Sequence, residues 1–254
     1  MALKVFLTGA SSGIGEALAK HYAAEGAQLG LVARRGELLE KLAATLTPKP
    51  LIYVADVRDA HVLTLAARDF IARAGVPDIV IANAGIGSGT LTEKADDLPV
   101  FQEIFDINVI GMVHTFHPFV EAMREAHSGS LVGIASVAGF RGLPGGSAYS
   151  ASKAAAITYL EALRVELHGS GVQVTTICPG YIRTPLTRVN RYRMPFIIDV
   201  EDAAQRFALA IARRRGVVVI PWRMAIAGAI LRMLPDAIFD RVFKRAPRKP
   251  RLAP

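Results

Sequence analysis

Tyr149 and Lys153 stand four residues apart, a spacing that on a helix puts both on one face, one turn from each other. A free tyrosine titrates near ~10 and is a poor proton donor or acceptor at neutral pH. A neighbouring ammonium favours the phenolate and brings that pKa toward the working range. Thirteen residues before the tyrosine, Ser136 closes the apolar run Leu131-Val132-Gly133-Ile134-Ala135, which reads as a buried strand. A hydroxyl at the carboxyl end of a parallel strand faces the crevice where ligands bind. Together the three groups suit holding a carbonyl oxygen and moving a proton on or off it. Tyr-x-x-x-Lys fixes only two residues and is, taken alone, usually a solvated helix pair, so its meaning rests on the elements around it.

Residues 3–8 form an apolar run that ends in Gly9-Ala10-Ser11-Ser12-Gly13-Ile14-Gly15, and a helical pattern follows to Glu25. Strand, glycine turn and helix together present backbone N–H groups and a helix N-terminus to a phosphate. The spacing Gly-x-x-x-Gly-x-Gly differs from the commoner Gly-x-Gly-x-x-Gly of dinucleotide sites. Further strands are predicted at 28–32, 51–54, 79–82, 130–135, 172–178 and 217–220, with helices near 37–46, 60–74, 98–126, 148–167 and 200–214. This alternation predicts an α/β fold, a doubly wound parallel sheet with helices on both faces. At the end of the second strand, beside the adenosine ribose of a dinucleotide, an acid suits a 2′-hydroxyl and an arginine a 2′-phosphate. Ala33-Arg34-Arg35 lacks the acid and supplies two arginines, so NADP is expected over NAD.

With 254 residues, 52% hydrophobic and 20% charged, the chain is long enough for one large core and is not of a disordered class. The single cysteine, Cys178, excludes a disulfide framework and a thiolate metal cluster and fits a reducing compartment. Its apolar run reads as a packed thiol. His114 and His117 share a helix face, but without carboxylate company they make a poor metal pair, and no metal is expected. Met1-Ala2-Leu3-Lys4 runs straight into a strand and leaves no room for a signal peptide, so a cytoplasmic location is expected. Net charge is +8, yet six bases and no acid lie beyond Asp240; taking those six from the 30 leaves 24 bases against 22 acids. The basicity therefore belongs to a tail and not to a groove tracking nucleic acid.

Taken in order, Thr8 to Gly15, Asp56-Val57, Asn83-Ala84-Gly85, Asn108, Ser136, Tyr149 with Lys153, and Pro179-Gly180-Tyr181-Ile182-Arg183-Thr184 resemble the short-chain dehydrogenase/reductase family in its short, single-domain form. The resemblance covers about residues 3–220. It implies a pyrophosphate turn of Gly9, Gly13 and Gly15 lined by Ser11, Ser12 and Ile14. Asp56 would accept the adenine amino proton beside the Val57 backbone, and Asn83 and Gly85 would lie against the adenosine ribose. Pro179, Ile182 and Thr184 would border the nicotinamide, the latter two at its carboxamide. Lys153 would bridge the nicotinamide ribose hydroxyls and tune Tyr149. Asn108, in a helix broken locally by a water, would link Lys153 to solvent. Two departures stand out: Ala82 replaces an asparagine common before Asn-Ala-Gly, and residues 221–254 form a C-terminal extension to the nucleotide-binding and catalytic domain of residues 1–220.

The expected chemistry is NADP(H)-dependent interconversion of a ketone or aldehyde with an alcohol, Tyr149 acting as acid/base. The rival reading is an NADP(H)-binding sensor of the same fold without turnover, which need not keep all of Asn108, Ser136, Tyr149 and Lys153. Substrate choice is expected in residues 185–198, a lid bearing Arg188, Arg191 and Arg193, which either meet an anionic handle or sit in solvent. Residues 142–146, with Phe140 and Leu143, should form the opposite, apolar wall. A homo-oligomer, dimer or tetramer, is expected through the alanine-rich helices of Asn108 and Tyr149. Residues 217–234 are too interrupted by Pro221, Arg223 and Arg232 to span a membrane. The extension is expected to cover its own core or a partner, with the basic tail in water and open to peripheral contact with an anionic bilayer.

Overall fold

The computed structural model describes residues 2–251; Met1 and residues 252–254, which fall within the domain limits above, lie outside it. Strands β1 (Lys4–Thr8), β2 (Gln28–Ala33) and β3 (Leu51–Val54) alternate with helices α1 (Gly13–Ala24), α2 (Gly36–Ala44) and α3 (Ala60–Ala74). After β4 (Ile79–Ala82) come α4 (Leu98–Phe105), one π-helical turn (Asp106–Ile110) and α5 (Gly111–Glu125). β5 (Gly129–Ile134), α6 (Ser147–Glu166), β6 (Val172–Pro179), the short α7 (Pro185–Arg188), α8 (Val200–Ala212) and β7 (Val217–Ile220) complete the alternation. Two further helices follow, α9 (Trp222–Met233) and α10 (Asp236–Phe243).

The strands form one parallel seven-stranded sheet in the order β3-β2-β1-β4-β5-β6-β7. Because both faces are covered, the central strands read as continuous apolar runs and their side chains serve two cores. In β1, Val5 and Leu7 join the core under α1, α2 and α8, while Phe6 joins the opposite core with Phe70 and Phe119. Winding runs outward from β1 to β3, then returns to β4. That reversal opens a crevice between the carboxyl ends of β1 and β4, where this architecture holds ligands.

The helix expected over 98–126 is interrupted. Its π turn falls on Asn108, and such bulges mark places where the hydrogen-bond ladder is opened for another purpose. The extension folds back on the domain. Arg141, in the loop after β5, donates to the carbonyls of Leu231 and Leu234 at the end of α9 and pairs with Asp236 at 2.5 Å. Its guanidinium also lies 4.2 Å from the Phe239 ring centroid. A base at a helix C-terminus satisfies carbonyls that the ladder leaves free. Phe140 packs against Gly228 of α9, where a Cβ would stand 2.4 Å from its ring, so it supports the extension. Among the described residues no helix is long and apolar enough to cross a membrane.

The tail is not the solvated arm that its composition predicts. Arg251 makes a bidentate pair with Asp97 at 2.8–2.9 Å, and the Pro250 carbonyl accepts from Gly89 N–H at 2.9 Å. Asp97 is almost fully covered, which makes it a better anchor than any solvated acid for a guanidinium fork.

Candidate active site

The glycine turn sits at the mouth of the crevice. Gly9 has φ +69°, a left-handed backbone that side chains disfavour, and a Cβ on Gly15 would stand 2.2 Å from the Gly9 carbonyl oxygen. Asn83 Nδ2 donates to the carbonyls of Thr8 (3.1 Å) and Gly9 (3.2 Å), so this side chain holds the turn rather than reaching outward. The turn delivers the chain into α1, and Ser12 and Ile14 at its start line the crevice.

A cavity of about 410 Å³ runs from this turn toward α6, and it gathers every predicted site residue except Gly13, Gly15 and Asn108. At one end lie Arg34, Arg35, Asp56 and Val57; at the other, Ser136, Tyr149, Lys153, Pro179, Ile182 and Thr184. The two arginines differ. Arg35 donates to the Ser11 hydroxyl (3.0 and 3.2 Å) and the Ser12 hydroxyl (2.6 Å), bending over the turn. Arg34 faces Asp56 at 3.6 Å and Glu103 at 3.8 Å. Burial pushes the Asp56 carboxyl up, but hydrogen bonds from Arg58 and the nearby Arg34 charge outweigh it and leave it below the usual range. The glycine cradle and the basic residues of this cavity fit a dinucleotide.

At the other end, α6 carries Tyr149 and Lys153 side by side as their spacing requires. Lys153 Nζ lies 5.9 Å from the Tyr149 ring centroid and donates to the Ile134 carbonyl at 2.8 Å. Ser136 sits at the end of β5, its hydroxyl accepting from Ala138 N–H at 3.1 Å and serving Tyr149 as a hydrogen-bond partner. The electrostatics depart from the simple expectation. Burial pushes the Tyr149 phenol up, and the Ser136 hydrogen bond opposes that shift without cancelling it. Burial also pushes Lys153 down to about 8, and the Lys249 charge adds to that shift. Burial outweighs the pairing in the free protein because it disfavours both charged forms at once. Cys178 is buried and its thiol is pushed up to about 12, so it remains neutral.

Asn108 is fully buried. Its Oδ1 accepts from Ile86 N–H (2.9 Å), and its Nδ2 donates to the Ile86 carbonyl (3.0 Å) and the Ser152 hydroxyl (3.0 Å). A Cβ on Gly85 would meet Asn108 Oδ1 at 3.1 Å and Lys153 Nζ at 3.5 Å, which puts both groups around one bare backbone position. In the expected lid, Ile182 bridges to Ile198 and Tyr181 meets Tyr192 edge to face at 6.3 Å, so the segment folds back against the site.

Sequence reasoning missed one group here. Lys249 Nζ lies 4.9 Å from the Tyr149 ring centroid, nearer than Lys153. A second ammonium therefore stands beside the Tyr149 ring, where an apolar wall is expected. Nothing in the local sequence distinguishes Lys249 from the five other bases of the tail.

The fold and the crevice define a dinucleotide-binding α/β architecture with a hydroxyl, a phenol and an ammonium gathered in one cavity. A profile of the short chain dehydrogenase family matches residues 4–194. An uncharacterised oxidoreductase of Myxococcus xanthus (strain DK1622) is 39% identical over 244 residues, covering 94% of this chain and 95% of that protein. Among solved structures, a short-chain dehydrogenase from Streptomyces avermitilis has a TM-score of 0.81 at 26% identity over 96% of each chain. L-Sorbose reductase from Gluconobacter frateurii, solved with NADPH and L-sorbose, has a TM-score of 0.77 at 26% identity, covering 86% of this chain and 95% of that one. This chain belongs to the short-chain dehydrogenase family; it is an oxidoreductase with a fold that binds NAD(H) or NADP(H).

Proposed function

We propose that the protein is an NADP(H)-dependent oxidoreductase that interconverts a small ketone or aldehyde with its alcohol, Tyr149 acting as general acid/base. The observation that carries this reading is the convergence of Ser136, Tyr149 and Lys153 on one end of a cavity whose other end is basic. NADP(H), when bound, supplies the hydride chemistry. Arg35 would meet the 2′-phosphate and the glycine turn would hold the pyrophosphate, with Ile182 and Thr184 on the nicotinamide side.

In the reductive direction negative charge grows on the carbonyl oxygen, and the hydroxyls of Ser136 and Tyr149 donate to it. Tyr149 then releases its proton to that oxygen. A phenol that burial holds protonated is suited to wait as the acid, and it needs support at the moment it becomes a phenolate. The Lys153 ammonium, one turn along α6, gives that support. Asn108, around the same glycine as Lys153 Nζ, belongs to the route by which a proton is returned. Oxidation of an alcohol uses the same groups in reverse. The exposed side of α6, with Ala151, Ala162 and Val165, serves as the face of a homodimer.

Steady-state turnover of a panel of ketones and aldehydes with NADPH and with NADH tests the reading. Reduction of at least one class, with higher kcat/KM for NADPH, is expected. Tight NADPH binding with no turnover across the panel would replace it with a sensor.

A further inference from the structure

The C-terminal segment crosses the substrate side of the site as a strap. Arg248 packs on Gly145, where a Cβ would stand 2.7 Å from its side chain, and Gly145 belongs to the loop between Ser136 and Tyr149. Pro250 and Arg251 are tied to the loop after β4, through Gly89 and Asp97 respectively. The approach at Gly89 is close: a Cβ there would lie 2.2 Å from the Lys249 carbonyl oxygen. Between these anchors Lys249 turns inward. A Cβ on Gly87 would meet both Lys249 Nζ (2.8 Å) and the Tyr149 ring (2.8 Å), so the ammonium and the ring edge share the space that this glycine leaves.

The charge balance at this point is incomplete. Two ammonium groups flank the Tyr149 ring, Lys249 at 4.9 Å and Lys153 at 5.9 Å. Among the described residues no acid pairs with Lys249; Asp97, the carboxylate nearest along the strap, is taken by Arg251. Burial pushes Lys249 down to about 8, which leaves it mostly protonated at neutral pH. An unpaired cation partly removed from water and set beside another cation is unfavourable. The Arg251–Asp97 fork and the Gly89–Pro250 hydrogen bond hold it there nonetheless. Such an arrangement is a prepared counter-charge for an anion not supplied by the protein.

We propose that Lys249 is a specificity-determining residue that binds an anionic group, carboxylate or phosphate, on the carbonyl substrate, and that the strap places it. The proposal rests on Tyr149 meeting the carbonyl oxygen. The ammonium lies against the same ring, so the anion sits a few bonds from the reacting carbon, and the substrate is a short oxo acid or phosphorylated ketone. This assigns the strap a role in binding and turns the pocket from an apolar one into one that selects by charge.

The test compares charged and neutral partners on the full chain at pH 7: levulinate against methyl levulinate, and dihydroxyacetone phosphate against dihydroxyacetone. The ratio of kcat/KM within each pair is its own control for folding and cofactor binding. Wild type is expected to favour the anionic member of at least one pair by about 10-fold or more, the scale of one charge-assisted hydrogen bond; the pair that responds separates carboxylate from phosphate. Lys249→Met is expected to lower that ratio by about 10-fold, Lys249→Arg to keep part of it, and Arg251→Ala, which frees the strap, to move it the same way as Lys249→Met. A wild-type ratio near one in both pairs, or a ratio unchanged in Lys249→Met, overturns the proposal. So does faster turnover of all four compounds in Arg251→Ala with unchanged ratios, which would mark the strap as a cover. If no carbonyl is turned over with either nicotinamide, the reading of Tyr149 fails by itself. Calorimetry with propionate and propionamide then decides for Lys249: propionate binding lost in Lys249→Met sustains the anion site, and equal or absent binding of the two overturns it.

Discussion

Replacing Arg35 by methionine removes the guanidinium from the basic end of the cavity while keeping an unbranched apolar stem. Among the described residues this guanidinium has only neutral partners, the Ser11 hydroxyl at 3.0–3.2 Å and the Ser12 hydroxyl at 2.6 Å. Arg34 instead faces two carboxylates, Asp56 at 3.6 Å and Glu103 at 3.8 Å. A group held by hydroxyls can turn toward a phosphate without giving up an ion pair, so Arg35 carries the larger share of discrimination. A charge-assisted hydrogen bond is worth about 1.5–3 kcal/mol, and an exposed one falls at the lower end because solvent screens it. At about 1.4 kcal/mol per tenfold, loss of this contact lowers the NADPH-to-NADH ratio of kcat/KM by about 10-fold. The exposed pairs of Arg34 are of the kind worth about 0–1 kcal/mol, so Arg34→Met is expected to change the ratio by less than about 5-fold. Steady-state rates at one saturating carbonyl concentration, with each nicotinamide varied, read both ratios. A wild type that prefers NADH, or an Arg35→Met ratio within about twofold of wild type, would refute the reasoning, since both lie below the expected tenfold shift.

Other perturbations reach different parts of the account. Asn108→Ala leaves the half-buried N–H and carbonyl of Ile86 without their side-chain partner; at about 1–3 kcal/mol for each unsatisfied group, a loss of about 2–6 kcal/mol is expected in urea unfolding, and an unchanged midpoint would show that the loop finds other partners. Lys153 has a folded pKa of about 8, below its unfolded 10.5, so between those values the unfolded chain holds more protons and this lysine's contribution makes stability rise with pH. The unfolding midpoint of wild type relative to Lys153→Met should therefore increase from about pH 8 to 9.5, and a difference that stays flat or falls across that window contradicts the buried-lysine picture. Light scattering at micromolar concentrations should give twice the 27.2 kDa monomer mass if α6 forms a dimer; a monomer mass throughout removes that assignment.

Much of the sheet was legible because its strands are buried on both faces. Apolar runs such as Ile79–Ala82 stand out between helical patterns without needing alternation. Glycines with a fixed geometric task were legible for a related reason: Gly9 and Gly15 tolerate no side chain where the turn closes. The proximity of Tyr149 and Lys153 followed from helical spacing, but their titration did not, because spacing says nothing of how deeply a pair is buried. Phe140 looked like a pocket residue by its neighbours in sequence, yet its partner is Gly228 on a helix that no motif marks. The docking of the tail was least legible. Arg251 and Asp97 meet across 154 residues, and six bases without acids read as solvated unless the buried carboxylate that anchors one of them is known.

In the proposed reaction Tyr149 delivers the proton to the substrate oxygen. Single-turnover oxidation of NADPH by a reducible ketone, followed at 340 nm for wild type and Tyr149→Phe, tests it most directly, with NADPH binding measured on both by fluorescence. The phenylalanine fills the same space and leaves Ser136 and Lys153 in place. Retained NADPH binding is expected, with a turnover rate lowered by about 10²-fold or more, the usual scale of a lost general acid. A Tyr149→Phe rate within a few-fold of wild type would contradict it.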